Sequence, residues 1–139
     1  MEITGHEGGL PVVRQKPGPK CALGRVKFLF PNSYDIYLHD TPDKGFFKRS
    51  VRDLSHGCIR LSDPVKLANY LLQNTPWTPE KIEEAMNSRK EKFVRIKNPV
   101  PVMITYYTAW VDGKGVLHFA DDIYGHDKKM AAQMFTDAK

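Results

Sequence analysis

Ser55-His56-Gly57-Cys58-Ile59-Arg60 sets a thiol one glycine after an imidazole, and a second imidazole stands upstream at His39. An isolated cysteine is most often a small buried hydrophobe. Here a polar Ser, a Gly and a basic Arg surround it, which is poor core composition and good composition for a reactive thiol. A nucleophilic cysteine needs a neighbour that takes its proton or stabilises its thiolate, because a free thiol is mostly protonated near neutrality. His39 and His56 are both candidates. Gly57 removes a Cβ between His56 and Cys58, which permits a tight turn and lets a substrate carbonyl approach backbone N–H groups that can form an oxyanion hole. The Ser55 hydroxyl can hydrogen-bond an imidazole or the turn backbone and so hold the loop. The chemistry this pattern suits is acyl transfer. Zinc is the competing chemistry, since His39, His56 and Cys58 are all ligand types. Two cysteines, no paired Cys-x-x-Cys or His-x-x-x-His spacing and no source for a fourth ligand argue against it, and no cofactor is expected.

Working outward, Arg25 to Phe30 alternates Val26, Phe28 and Phe30 against Arg25, Lys27 and Leu29, the pattern of a half-buried strand. Pro31-Asn32-Ser33 turns it, and Asp35 to His39 reads as a second strand with the imidazole at its end. Residues 40–54 read as a polar loop carrying Phe46-Phe47. Beyond the thiol, Asp63-Pro64 and Thr78-Pro79 each pair a capping side chain with a proline at the first helical position. The first predicts a helix over 64–73 with Val65, Ala68, Leu71 and Leu72 inward; the second predicts a helix with Ile82, Ala85 and Met86 inward. Phe93 to Ile96 reads as a short strand and Pro101 to Val111 as the strongest β segment. Asp112-Gly113-Lys114-Gly115 returns the latter through Val116 to Phe119 as a hairpin. Residues 1–20, rich in Gly and Pro and without apolar periodicity, read as loop, and 126–139 as a polar tail. His6, His118 and His126 have no partner pattern.

At 139 residues and 41% hydrophobic, the chain is one domain's worth with a single core. The net charge of +5 is scattered through mixed-sign runs such as Arg89-Lys90-Glu91-Lys92, with no basic patch interleaved with aromatics, so nucleic acid is not the expected partner. No apolar stretch reaches membrane-spanning length. Cys21 and Cys58 allow at most one disulfide, which would disable the nucleophile, so Cys21 is expected to be a spectator thiol. Residues 1–20 also lack a charged region followed by an apolar one, so no signal peptide is expected in this chain.

His39, the spacer 40–54 and Ser55-His56-Gly57-Cys58 together resemble the signature of the L,D-transpeptidase catalytic domain, the YkuD family: a His, about fifteen residues, then [ST]-H-G-C. The flanks Tyr37-Leu38-His39-Asp40-Thr41-Pro42 and Ile59-Arg60-Leu61 are similar to the periplasmic YcbB-type branch, and the similarity runs from about Gly18 to Tyr124. The resemblance implies a mixed α/β, mainly β, sheet sandwich with short helices. It implies that residues 21–125 are the C-terminal portion of the catalytic domain, because several strands precede the matched region in the family and 38 residues before His39 are few for them.

The resemblance further implies that Cys58 attacks the L-centre/D-centre peptide bond of a peptidoglycan tetrapeptide stem, releasing the terminal D-alanine and forming a thioester. His39 then matches the general base and acid, and His56 supports the loop and the thiolate. Ser55 and Gly57 serve the turn and its oxyanion-binding backbone, while Arg60 and Tyr37 contact substrate, Arg60 orienting a stem carboxylate. The acceptor is the side-chain amine of diaminopimelate, giving a 3-3 cross-link, or a lipoprotein lysine; reaction with carbapenems and a place in the periplasm or cell envelope follow. Two other functions suit the same residues. One is a cysteine peptidase, an L,D-carboxypeptidase, in which water replaces the amine. The other is a catalytically incomplete fragment that binds cell-wall peptide, or associates through an open sheet edge.

Overall fold

Glycines at residues 8 and 9 take positive φ, +56° and +80°, the conformation of a two-residue primed turn. They join Glu2–Glu7 (β1) to Leu10–Arg14 (β2) as an antiparallel hairpin, with a register irregularity between Ile3 and Gly5. The expectation of loop over residues 1–20 is therefore corrected: Gly8-Gly9 is hairpin punctuation, and Pro11 sits on a strand whose outer edge needs no N–H. The computed structural model describes residues 1–18, 20–55 and 57–135. They fall into two compact units divided between Pro101 and Val102.

The first unit also holds a three-stranded sheet of Lys27–Phe28 (β3), Leu38–His39 (β4) and Ile59–Arg60 (β5), in the order β3-β4-β5. β3 pairs antiparallel with β4, Lys27 opposite His39, and β4 pairs parallel with β5. The alternation expected from Val26 to Phe30 is realised in burial, these residues being half-buried and exposed by turns, although only two of them are laddered. A parallel pair needs a long crossover. Residues 40–58 supply it, including a 3-10 turn at Lys44–Lys48 whose first amides are served by Asp43.

Both proline-marked helices form: Pro64–Leu71 (α1) and Pro79–Asn87 (α2). Asp63 accepts from the Lys66 amide at 3.0 Å, and Thr78 from the Lys81 amide at 3.4 Å, so each cap side chain satisfies a donor the helix leaves open. Ala68 and Ile82, each 4% exposed, are the buried apolar residues of the described chain apart from Pro64, and α1 packs on α2. The expected strand at Phe93–Ile96 is not formed, and Phe93 is 79% exposed. A β-prone run with no neighbouring strand has nothing to satisfy its backbone as a ladder.

In the second unit, Ala109–Val111 (β6) and Leu117–Phe119 (β7) form the expected hairpin, Val111 opposite Leu117. Asp112 holds its turn by accepting from the amides of Lys114 (2.8 Å) and Val116 (3.0 Å). The long strand expected over 101–111 shrinks to three residues for a topological reason. The return strand ends at Ala120, whose amide donates to Thr108, and the chain then turns at Asp121–Gly125, so residues before Thr108 have no strand opposite. The expected polar tail is a helix over His126–Met134 (α3). Gly125 at its cap has no side chain, and Asp122 substitutes from four residues upstream by accepting from the amides of His126, Asp127 and Lys128. Among the described residues no helix is long and apolar enough to cross a membrane.

Candidate functional site

Leu38 lies opposite Ile59 and His39 opposite Arg60 in the parallel β4–β5 pair. The Ile59 amide donates to the Tyr37 carbonyl (3.1 Å) and the Leu61 amide to the His39 carbonyl (2.8 Å). Carrying this register back one residue sets Cys58 beside Tyr37, and Tyr37 and His39 share a face because side chains alternate along a strand. The side chains agree with that placement. The Tyr37 and His39 rings are 5.9 Å apart and tilted. Burial first, then the neighbouring Cys58, push the Tyr37 phenol above its ordinary value. The Lys27 ammonium caps the Tyr37 ring at 5.6 Å.

Cys58 is half-buried and its thiol donates to the Asp35 carbonyl at 3.8 Å. Asp35 takes φ +53°, a left-handed conformation open to Asp at modest cost. Gly57 takes φ +128°, while a Cβ there would meet its nearest neighbour, Ile36 Cγ1, at an ordinary 3.7 Å. The backbone and not the available space therefore requires glycine at this position. Ser55 Oγ accepts from the Gly57 amide at 3.2 Å, a bond to the turn backbone. His56 lies outside the described residues.

His39 is 4% exposed, and its Nδ1 hydrogen-bonds the backbone carbonyl of Asp40. A carbonyl only accepts, so Nδ1 carries the proton and, in the neutral ring, Nε2 keeps the lone pair. His39, on β4, and Cys58, just before β5, make no hydrogen bond with each other; each bonds a backbone carbonyl. Arg60 donates to the Leu54 carbonyl at 3.1 Å, and its guanidinium lies 5.1 Å from the centre of the Phe46 ring, which Arg49 also covers at 5.3 Å. Cys21 and Cys58 are both free thiols. No group of three metal-ligating side chains occurs among the described residues.

The residues that sequence reasoning passed over are Asp40 and Lys44. With His39 and Thr41, Asp40 is among the most enclosed residues of the described chain, its side chain 5% exposed. It accepts from Lys44 Nζ (2.7 Å) and the Arg25 amide (2.9 Å). Burial opposes its ionisation, but hydrogen bonds from Lys44 and from the amides of Arg25 and Thr41 outweigh it and hold the carboxyl below the usual aspartate range. The i,i+4 spacing of Asp40 and Lys44 was the available signal, hidden because that spacing has helical meaning and these residues lie in a loop. Gly24 is needed here too: its φ is +64°, and a Cβ would fall 2.5 Å from the Asp40 carboxyl. A hollow of about 310 Å³ is lined by Gly24, Arg25, Asp40, Thr41, Pro42 and Lys44, with Gly18 at its margin. Neither Cys58 nor His39 lines it, so it is not where a reacting bond meets the thiol.

A pH dependence of stability follows. Since the native Asp40 carboxyl titrates below the unfolded value of about 3.9, the unfolded chain takes up its proton first as pH falls. The stabilisation is present in full above that value and is lost as pH drops through the lower native one. Thermal melts between pH 3 and 6 are expected to show a steeper acid decline in the wild type than in Asp40→Asn. Part of the slope survives the substitution, because Asp112 and Asp122 are also held low.

A parallel strand pair with His39 on one strand and the Cys58 turn leading into the other lies within a small mixed α/β fold. Residues 4–102 match the L,D-transpeptidase catalytic domain, YkuD, and the chain belongs to that family. Over 118 residues, 85% of this chain, it is 40% identical to the Haemophilus influenzae protein named "Putative L,D-transpeptidase". The chain spans about a quarter (24%) of that relative's length. The mixed α/β class expected from the sequence is the observed one, in small sheets with three short helices.

Proposed function

We propose that this chain carries a peptidoglycan L,D-transpeptidase site in which Cys58 is the nucleophile and His39 the general base and acid. The observation that supports this most is the His39 Nδ1 bond to the Asp40 carbonyl, on a strand parallel and adjacent to the one Cys58 enters. It leaves Nε2 as the basic nitrogen, which is what proton abstraction from a thiol needs. The thiol turns from the Asp35 carbonyl toward Nε2, and the resulting thiolate attacks the carbonyl carbon of the L/D peptide bond in a tetrapeptide stem. The imidazolium delivers its proton to the departing D-alanine nitrogen, leaving a thioester on Cys58.

Oxyanion charge falls to the turn backbone. The Gly57 amide is committed to Ser55, so the Cys58 amide, next in the turn, takes that role. In the second half His39 deprotonates the acceptor amine, whose attack on the thioester regenerates the thiol. Arg60 keeps N–H donors beyond the one given to Leu54 and orients a stem carboxylate, while Tyr37 steadies the sulfur and borders the substrate. The catalytic portion lies within the residues matched to the family, and the cell envelope, where these stems lie, is the place of action.

The test is intact-mass detection of the acyl-enzyme after mixing with a disaccharide tetrapeptide, together with product analysis. Transpeptidation predicts an adduct of the stem less D-alanine on Cys58, followed by 3-3 cross-linked stems. Free tripeptide stems alone would assign hydrolysis instead. No adduct in folded protein would refute a working nucleophile.

A further inference from the structure

The enclosed residues 39–41 pose a question of cost. Polar groups withdrawn from water destabilise a fold unless fully bonded, yet burial here is tighter than over most of the apolar side chains. One partner, the ammonium that Asp40 meets, gathers acceptors from two segments. Lys44 Nζ donates to Asp40 Oδ1 (2.7 Å), the Leu61 carbonyl (3.2 Å) and the Ser62 carbonyl (3.1 Å). An ammonium has three donors, and all three are used. Asp40 directly follows His39; Leu61 and Ser62 are the third and fourth residues beyond Cys58. On its other oxygen Asp40 accepts from the Arg25 amide, which leads into β3, and its own amide donates to the Val26 carbonyl at 3.0 Å.

We infer that Lys44 is a positioning residue, an ammonium staple that fixes the segment following His39 to the segment following Cys58 and so sets the approach of imidazole to thiol. This rests on the reading of those two residues given above. The β4–β5 ladder is only two residues long on each strand, too short to hold its register firmly alone. The staple closes the ladder just beyond its last pair. The carbonyl that orients the imidazole belongs to Asp40 itself, so any swing of Asp40 is passed to the ring. A lone pairing of Lys44, whose side chain is 47% exposed, would contribute little to stability. Three acceptors from two segments make it a matter of geometry instead.

The experiment measures D-alanine release from a disaccharide tetrapeptide by the full chain, with kcat and KM separated and each variant's folding followed by circular dichroism. Lys44→Met is expected to lower kcat about 10- to 100-fold, the scale of a displacement near 1 Å, with KM within about twofold, since Lys44 is not proposed to touch substrate. Lys44→Arg, which keeps the charge and several donors, is expected to recover most of kcat. Should Lys44→Met fail to fold, Lys44→Gln, with donors but no charge, takes its place and is expected to lie between. An unchanged kcat in a folded variant overturns the staple, as does a fall in kcat that merely follows the folded fraction. Cys58-dependent turnover that ignores Lys44 overturns this inference alone; absence of turnover in the wild type overturns the reading of Cys58 and His39 and the staple with it.

Discussion

Cys58→Ala is expected to abolish acyl-enzyme formation and to lower D-alanine release by at least about 10³-fold, the scale on which loss of a covalent nucleophile is felt. No neighbouring group can replace it. Cys21, the other thiol, lies at the start of the segment leading to β3, whereas Cys58 enters β5 beside the strand that carries His39. The fold is expected to survive. Cys58 is half-buried, and its sulfur makes one long bond to the Asp35 carbonyl, so melting should change by no more than about 1 kcal/mol. The measurement pairs intact-mass detection with a thermal melt, and turnover retained by folded Cys58→Ala would sink the mechanism.

His39→Ala is expected to cost about 10²- to 10⁴-fold in kcat, the usual worth of a positioned acid–base group. This substitution also disturbs structure. His39 is 4% exposed and bonded to the Asp40 carbonyl, so alanine leaves a void and an unpaired acceptor costing about 1–3 kcal/mol. His39→Asn separates the two effects, because its amide N–H can still meet the Asp40 carbonyl while offering no basic nitrogen. Stability should then return in part and kcat should not. Recovery of turnover in His39→Asn would move the base elsewhere.

Much of this was readable from local chemistry. Asp63-Pro64 and Thr78-Pro79 announced two helices because a cap side chain and a preset φ act within one turn of chain. The Asp112–Gly115 turn announced the β6–β7 hairpin for a similar reason. Failures arose where the outcome depended on a partner. Pro101 to Tyr107, the part of the expected strand that does not form, has strong β composition and no strand opposite among the described residues; Phe93 to Ile96 is alike. In α3, the capping carboxylate of Asp122 comes from outside the expected position and is recognisable only once the Asp121–Gly125 turn is known. Gly8-Gly9, by contrast, was legible as a primed turn and was overlooked.

The spacing of His39 from Ser55-His56-Gly57-Cys58 was enough to name the family, because a few residue types at fixed positions carry its signature whatever surrounds them. Nothing in that spacing says how the eighteen residues between them place His39 relative to Cys58. That depends on a parallel pairing of Leu38 with Ile59, on the carbonyl of Asp40 choosing the tautomer of His39, and on Lys44 spanning two segments. Each is a contact between residues distant in the chain or a backbone direction taken in three dimensions. A linear pattern can supply the groups that react, but their mutual orientation exists only after the crossover has closed.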